Sequence, residues 1–195
     1  MNTKFKLTQK YLKECLDYNP ETGIFKRKER PVSHFKNNKE STRKIWNKRY
    51  ANKEILCVSK NGYVYIRINK KAYFAHRLAF LYMEGYLPEN DVDHIDRNRS
   101  NNKWNNLREV SRRCNFQNKN VRKDNKIGII GIQFDKQNKK YRASITINKK
   151  CNRLGRFENL NDAVLARYNE EQNNPNWTCS IESSAEKYLK ENNLI

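Results

Sequence analysis

Apolar residues along this chain come in short runs whose period switches repeatedly between helical and extended spacing. After Thr8, a residue suited to capping, Tyr11, Leu12, Cys15 and Leu16 recur at helical spacing and predict a helix over 8–17. Asn19-Pro20-Glu21-Thr22-Gly23 then reads as a turn, and Ile24-Phe25-Lys26 as the start of a short strand. Residues 28–53 are polar, basic and aperiodic apart from Trp46 and Tyr50, which predicts a loop or an arm lying along a partner. A hairpin is expected over 55–75, with Asn61-Gly62 as a turn dipeptide and Tyr63–Ile68 rich in strand formers. It would turn through Asn69-Lys70-Lys71 into Ala72-Tyr73-Phe74. The next helix runs from about His76 to Gly85, with Leu78, Ala79, Leu81 and Tyr82 as its apolar stripe and Pro88 just beyond.

The second half changes character after a polar, basic linker at 121–126. Three strands are predicted, Gly131–Asp135, Lys140–Ile147 and Cys151–Phe157, followed by a helix carrying Ala163, Val164, Ala166 and Tyr168 with Asn161 or Asp162 as its cap. Within 140–147, Tyr141, Ala143, Ile145 and Ile147 alternate with Arg142, Ser144 and Thr146, a series that Asn148 extends. The apolar set should pack on the helix, leaving an open polar sheet face able to lie in a DNA major groove. Gln133, Arg142, Ser144, Thr146 and Arg153 are the candidates for DNA contact on it. Gly131 and Gly155 read as turn or close-packing glycines. The tail adds one amphipathic helix using Ile181, Ala185, Tyr188 and Leu189. The resulting organisation is α+β: an N-terminal helix and basic arm over 1–54, domains over 55–122 and 127–174, and a tail over 175–195.

Charge narrows the partner. Lys and Arg total 41 against 21 acids, a formal +20, so the chain repels itself and fits something anionic. Nucleic acid, an anionic membrane face and an acidic protein all satisfy that condition. No apolar run approaches the length needed to cross a bilayer, and the N-terminal stretch lacks the apolar core of an export signal. A cytoplasmic protein that meets nucleic acid, in a bacterial or phage-infected cell, is the simplest expectation. The cysteines, Cys15, Cys57, Cys114, Cys151 and Cys179, are odd in number and widely spread with no C-x-x-C pair. That spacing argues against structural zinc and for five reduced thiols.

Candidate chemistry concentrates at 90–120. Histidine is scarce, with three in the chain, yet His94 directly follows Asp93 between Val92 and Ile95. In an extended segment these neighbours project to opposite faces, so reaching one phosphate requires a bend that the following polar loop could supply. Residues 110–119 read as a helix with Asn115, Asn118 and Lys119 on one face. Asparagine forms helices poorly, and such a local conflict often marks a functional site.

Asp93-His94, Asn106-Leu107-Arg108, Asn115 and Asn118 together resemble the HNH (ββα-metal) endonucleases, in particular the phage and homing branch with Asn in place of the last His. The resemblance covers roughly 8–120 and takes in His76-Arg77-Leu78 and Gly62-Tyr63 upstream. It implies that Asp93 and Asn115 give oxygen ligands to one hard divalent cation, Mg²⁺ by default or another such as Mn²⁺, with no zinc. That cation would hold the scissile phosphate and stabilise the leaving 3′ oxygen. His94 would act as general base, and Asn106 would fix its ring or the loop bearing it. Lys119 stands where the family often has a further His, and could stabilise phosphate charge without binding metal. His76 reads as a satisfied core or helix-start histidine or as a second phosphate ligand, Arg77 as a phosphate contact or a solvated residue, and His34 as plain surface.

Residues 128–172 resemble the AP2 domain, on Gly131-Ile132, Lys140–Ile145, Leu154-Gly155-Arg156-Phe157 and Asp162-Ala163. Tyr141 stands in place of the usual Trp, and Gln133 and Thr146 in place of family arginines, so base preference does not transfer. The reading is a metal-dependent endonuclease on double-stranded DNA, working as a monomer or homodimer. Its rivals are a DNA-binding regulator with an inactive nuclease domain and an RNA-binding basic protein.

Overall fold

Thr8 accepts a hydrogen bond from the Tyr11 amide and starts helix α1, Gln9–Cys15, in the computed structural model, which describes residues 6–175, 177 and 182–195. The helix ends two residues before the predicted stop, because Leu16–Asn19 becomes strand β1 and pairs antiparallel with β2, Ile24–Arg27. Leu16, Tyr18 and Phe25 are buried beside Leu12 and Cys15, so the apolar positions here serve two elements of different period. Asn19 closes the hairpin by accepting from the amides of Glu21 and Thr22.

The expected loop or arm at 28–53 is corrected by the structure: Glu40–Tyr50 is an 11-residue helix, α2, preceded by a 3₁₀ turn at Val32–His34. None of the residues of α2 is buried, so it has no apolar stripe by which a sequence would reveal it. His34 is also corrected, since its ring lies 4.7 Å from that of Tyr11, and its Nε2 sits 3.2 Å from Glu14.

Strands β3, Tyr65–Ile68, and β4, Lys71–Phe74, form the expected hairpin through Asn69 and Lys70, both at positive φ. Two consecutive residues at positive φ suit the tight turn that a right-twisted hairpin prefers. Helix α3, Ala75–Met83, buries Leu78, Ala79, Phe80 and Leu81 against the same core as Ile66 and Ile68. The chain leaves it through Gly85 at φ +85°. β5, Asp91–His94, then pairs antiparallel with β6, Leu107–Val110. These elements make up the first of two compact units, which ends at Ser111.

The second unit, Arg112–Ile195, opens with the short helix α4, Arg112–Gln117. It holds a three-stranded antiparallel sheet of β7, Ile132–Asp135, β8, Lys140–Ile147, and β9, Lys150–Phe157, in that order. Helix α5, Leu160–Asn173, lays Ala163 and Val164 against Ile132 and Ala143. Its cap is Asn159, which accepts from the Asp162 amide, in place of the expected Asn161 or Asp162. Helix α6, Ser184–Glu191, adds Ala185 and Leu189 to that core; Cys179 and Ile181 lie outside the described residues.

An ion pair is buried in this small core: Arg167 donates from Nε to Glu171 at 2.7 Å, with both side chains almost fully enclosed. Arg167 also donates to the Ser144 carbonyl at 2.6 Å. Gly131 makes room for that contact, since a Cβ there would sit 2.4 Å from the guanidinium and 2.3 Å from the Ser144 carbonyl oxygen. Cys114 is disulfide-bonded, correcting the expectation of five reduced thiols, while Cys15, Cys57 and Cys151 are free. Among the described residues, no helix is long and apolar enough to cross a membrane.

Candidate active site

Asp93 and Arg108 face each other across β5 and β6, and cross-strand partners share a face. The Arg108 guanidinium donates to Asp93 Oδ2 from Nε at 3.2 Å and from Nη2 at 3.0 Å. Asp93 is buried, so this partner offsets much of the cost of removing a carboxylate from water. His94 is the last residue of β5 and pairs with Leu107. The bend anticipated from alternation begins there, where the Arg97 amide bonds the His94 carbonyl at 2.9 Å and Arg97 adopts φ +63°.

The His94 ring is held by a residue that sequence reasoning passed over. Its Nε2 lies 3.2 Å from Asn102 Oδ1. The Asn102 amide nitrogen donates to the Ser100 carbonyl at 3.1 Å, which orients its oxygen toward the imidazole. An amide oxygen only accepts, so His94 Nε2 carries the proton and Nδ1 carries the basic lone pair. Asn102 is 2 % exposed, and its own carbonyl accepts from the Tyr18 hydroxyl at 2.7 Å. Burial lowers the His94 pKa, against the opposing effects of the Asn102 bond and the Asp96 and Asp93 charges, so the ring is neutral at pH 7.

His76, on the first turn of α3, meets the His94 ring edge-on at 5.1 Å. Burial, with the neighbouring His94 and Arg77 charges, drives its pKa down to about 3. The ring is the helix-start histidine expected, buried on α3, but its Nδ1 has no hydrogen-bond partner, so it is not satisfied there. Tyr63 packs against both imidazoles, and Arg99 lies over the Tyr63 ring at 5.0 Å. Arg77 donates to the carbonyls of Asn90 and Pro88, tying the chain after α3 to the helix.

Asn106 holds the loop, not the His94 ring. Its Oδ1 accepts from the Asp96 amide at 3.0 Å, and its Nδ2 donates to Asp96 Oδ1 and to the Asn101 carbonyl. Burial works against the Asp96 carboxylate, but bonds from Asn101, the Asn98 amide and Asn106 keep its pKa below the usual range. The N-terminal hairpin props the far side of this loop: the Trp104 amide bonds the Pro20 carbonyl at 2.9 Å. Gly23 makes that approach possible, because at φ +73° a Cβ would lie 2.3 Å from the Asn102 carbonyl carbon. Tyr18, Pro20 and Gly23 therefore brace the loop that positions His94, a role their sequence did not reveal.

Asn115, Asn118 and Lys119 lie at the start of the second unit. Asn115 is on α4 and half-buried; Asn118 follows the helix, buried, with its amide bonded to the Cys114 carbonyl at 3.2 Å. Lys119 is exposed, its ammonium 3.7 Å from the centre of the Phe116 ring.

On the sheet, Gln133, Arg142 and Arg156 form one cross-strand row, followed by Ser144 with Arg153 and Thr146 with Cys151. Arg156 was missed for a reason of geometry. Three positions apart, Arg153 and Arg156 would alternate to opposite faces of a regular strand. The bulge opposite Ala143 and Ser144 pairs them instead with Ser144 and Arg142, which share a face. Asp135 sits beside both Arg142 and Arg156, at 3.8 and 3.9 Å.

Among the described residues no three His, Cys, Asp or Glu gather into a metal-binding group. A hard cation such as Mg²⁺ requires fewer, since it keeps several waters and takes one or two carboxylates. One carboxylate at Asp93 with asparagine amides nearby in sequence is an oxygen donor set of that chemistry.

No curated protein and no solved structure matches the chain. One family model does: residues 73–117 match the HNH endonucleases, from within β4 to the end of α4. That stretch contains His76, Arg77, Asp93, His94, Asn106 and Asn115. Over residues 73–117, less than a quarter of its length, the chain is thus similar to the HNH endonucleases, which supports a nuclease domain there.

Proposed function

We propose that this chain is a metal-dependent endonuclease that hydrolyses phosphodiester bonds of double-stranded DNA, with its three-stranded sheet as an AP2-like DNA-binding module. The observation that carries the reading is a buried imidazole of defined tautomer, neutral at pH 7, at position 94 of the HNH match. A neutral imidazole with a basic Nδ1 accepts a proton from water, and its Nε2 bond to Asn102 steadies the ring while the proton arrives. Asp93 and Asn115 would hold a divalent cation, Mg²⁺ by default. When bound, such an ion neutralises phosphate charge and stabilises the leaving oxygen. Arg108 keeps Asp93 aimed, Asn106 keeps the loop closed, and His76, Arg77, Asn118 and Lys119 are candidates for phosphate contact.

The sheet face of Gln133, Arg142, Ser144, Thr146 and Arg153, now with Arg156, would lie in the major groove. Phosphate contacts supply salt-sensitive affinity and base contacts supply selectivity, a division suited to a chain of two small units. The test is nicking of supercoiled plasmid with Mg²⁺. His94→Ala should lower the rate by about 10²- to 10⁴-fold, the usual share of a general base, with DNA affinity retained. Asn115→Ala should lower the rate and raise the Mg²⁺ requirement together. Binding of duplex without cleavage of any DNA would leave a regulator with an inactive nuclease domain, and a clear preference for folded RNA would remove DNA as the substrate.

A further inference from the structure

Between residues 26 and 53 the chain carries 11 Lys and Arg against two Glu, close to half of its net charge. The structure turns this stretch into a braced element. Asn47 clamps the backbone of Arg30, accepting from its amide at 3.0 Å and donating to its carbonyl at 3.1 Å. The Arg27 amide bonds the Lys53 carbonyl, and the Asn52 amide bonds the Arg27 carbonyl, so the chain leaving the C-terminal end of α2 returns to the edge of β2. Trp46 meets Phe35 edge-on and carries the Arg30 guanidinium over its ring, and Tyr50 is covered by Arg27 and Arg49. Those aromatic rings are occupied and are not a platform on which single-stranded bases would stack.

What α2 presents outward is Lys44, Lys48 and Arg49 around Ile45, all exposed. Ile45 is 69 % exposed, an apolar side chain with cations on either side along the helix. A membrane would require an apolar face on this helix, and α2 buries none of its residues and offers one isoleucine. Charge complementarity, a rigid helical spacing and one apolar contact fit the groove edge of a duplex, where cations meet phosphates and an aliphatic side chain meets sugar.

We propose that the outer face of α2 is a duplex-DNA contact in its own right, with Lys44, Lys48 and Arg49 on phosphates and Ile45 against the groove between them. This rests on the reading of the chain as a DNA endonuclease and names a surface that the 73–117 match does not contain.

The test measures binding of the full chain to duplex DNA across a salt series in EDTA, so that cleavage plays no part. Three lost phosphate contacts should flatten the slope of log affinity against log salt by about 2–3, at roughly 0.9 per contact. Lys44→Gln/Lys48→Gln/Arg49→Gln is expected to show that flattening, with an affinity loss of tenfold or more at 0.15 M salt. A control triple, Lys6→Gln/Lys10→Gln/Lys70→Gln, takes the same charge from elsewhere and should change the slope by less than one. Ile45→Ala should weaken binding severalfold with the slope unchanged, because no counterion is involved. Circular dichroism and Trp fluorescence confirm that the variants keep α2. An unchanged slope in the α2 triple, an equal change in the control triple, an Ile45→Ala variant that binds like wild type, or a loss confined to single-stranded DNA would each overturn the proposal. Failure of the nuclease reading is seen separately, as wild-type binding with no cleavage in Mg²⁺.

Discussion

Asn102 offers the sharpest test of how this chain would prepare a general base. Asn102→Ala removes the acceptor of the His94 Nε2 proton while leaving the Asn102 backbone carbonyl, and with it the Tyr18 hydroxyl bond, in place. His94 is 4 % exposed, so the orphaned donor finds no water without a shift of the ring. Leaving a buried donor unsatisfied costs about 1–3 kcal/mol. If that cost falls on the reactive orientation, single-turnover cleavage slows by about 5- to 150-fold, at about 1.4 kcal/mol per tenfold.

The pH profile carries a sign that a general loss of packing would not produce. A base works when unprotonated, so activity falls on the acid side as His94 takes a proton. The Asn102 bond raises the His94 pKa against the lowering by burial, so Asn102→Ala should move the acid limb to still lower pH. Asn102→Asp places a carboxylate against the ring, favours the imidazolium, and should move that limb up toward neutrality. The assay is single-turnover cleavage at saturating DNA and fixed Mg²⁺ from pH 5 to 9, with thermal melts to confirm folding. Wild-type rates in Asn102→Ala, or limbs that move the same way in both variants, would refute the reasoning.

Three further outcomes follow from the same contacts. Gly23→Ala should cost well over about 1 kcal/mol in urea unfolding and lower cleavage with it, since φ +73° and a 2.3 Å approach to Asn102 both oppose a Cβ. His76 has a folded pKa near 3 against an ordinary value near 6.5, so the unfolded chain binds the proton first. Its contribution is complete above pH 6.5 and is lost as pH falls toward 3; His76→Phe should show a shallower fall in urea midpoint between pH 7 and 5. Arg167→Met should destabilise the second unit by about 3–5 kcal/mol, because it strands the buried Glu171 carboxylate. Arg167→Met/Glu171→Leu should recover most of that loss, and a double variant no more stable than the single would refute the account.

Local chemistry decided much of this protein before any packing was known. Alternation and turn residues located β3, β4, β7, β8 and β9, and helical spacing located α1, α3 and α5 to within a few residues, because each packs apolar residues, fully or partly buried, against its own core. The Asp93-His94 pair stood out in the same way, as scarce side chains of matched chemistry in an extended run. What alternation cannot express was left to tertiary structure. Helix α2 buries nothing, and so carries no stripe. Arg156 joins Arg153 on one face only through a bulge in pairing. Among five asparagines between 98 and 106, composition offers no ground for choosing Asn102 as the partner of His94. That choice is made by contacts from Tyr18, Pro20 and Gly23, roughly eighty residues upstream, because a loop takes its shape from whatever is packed behind it.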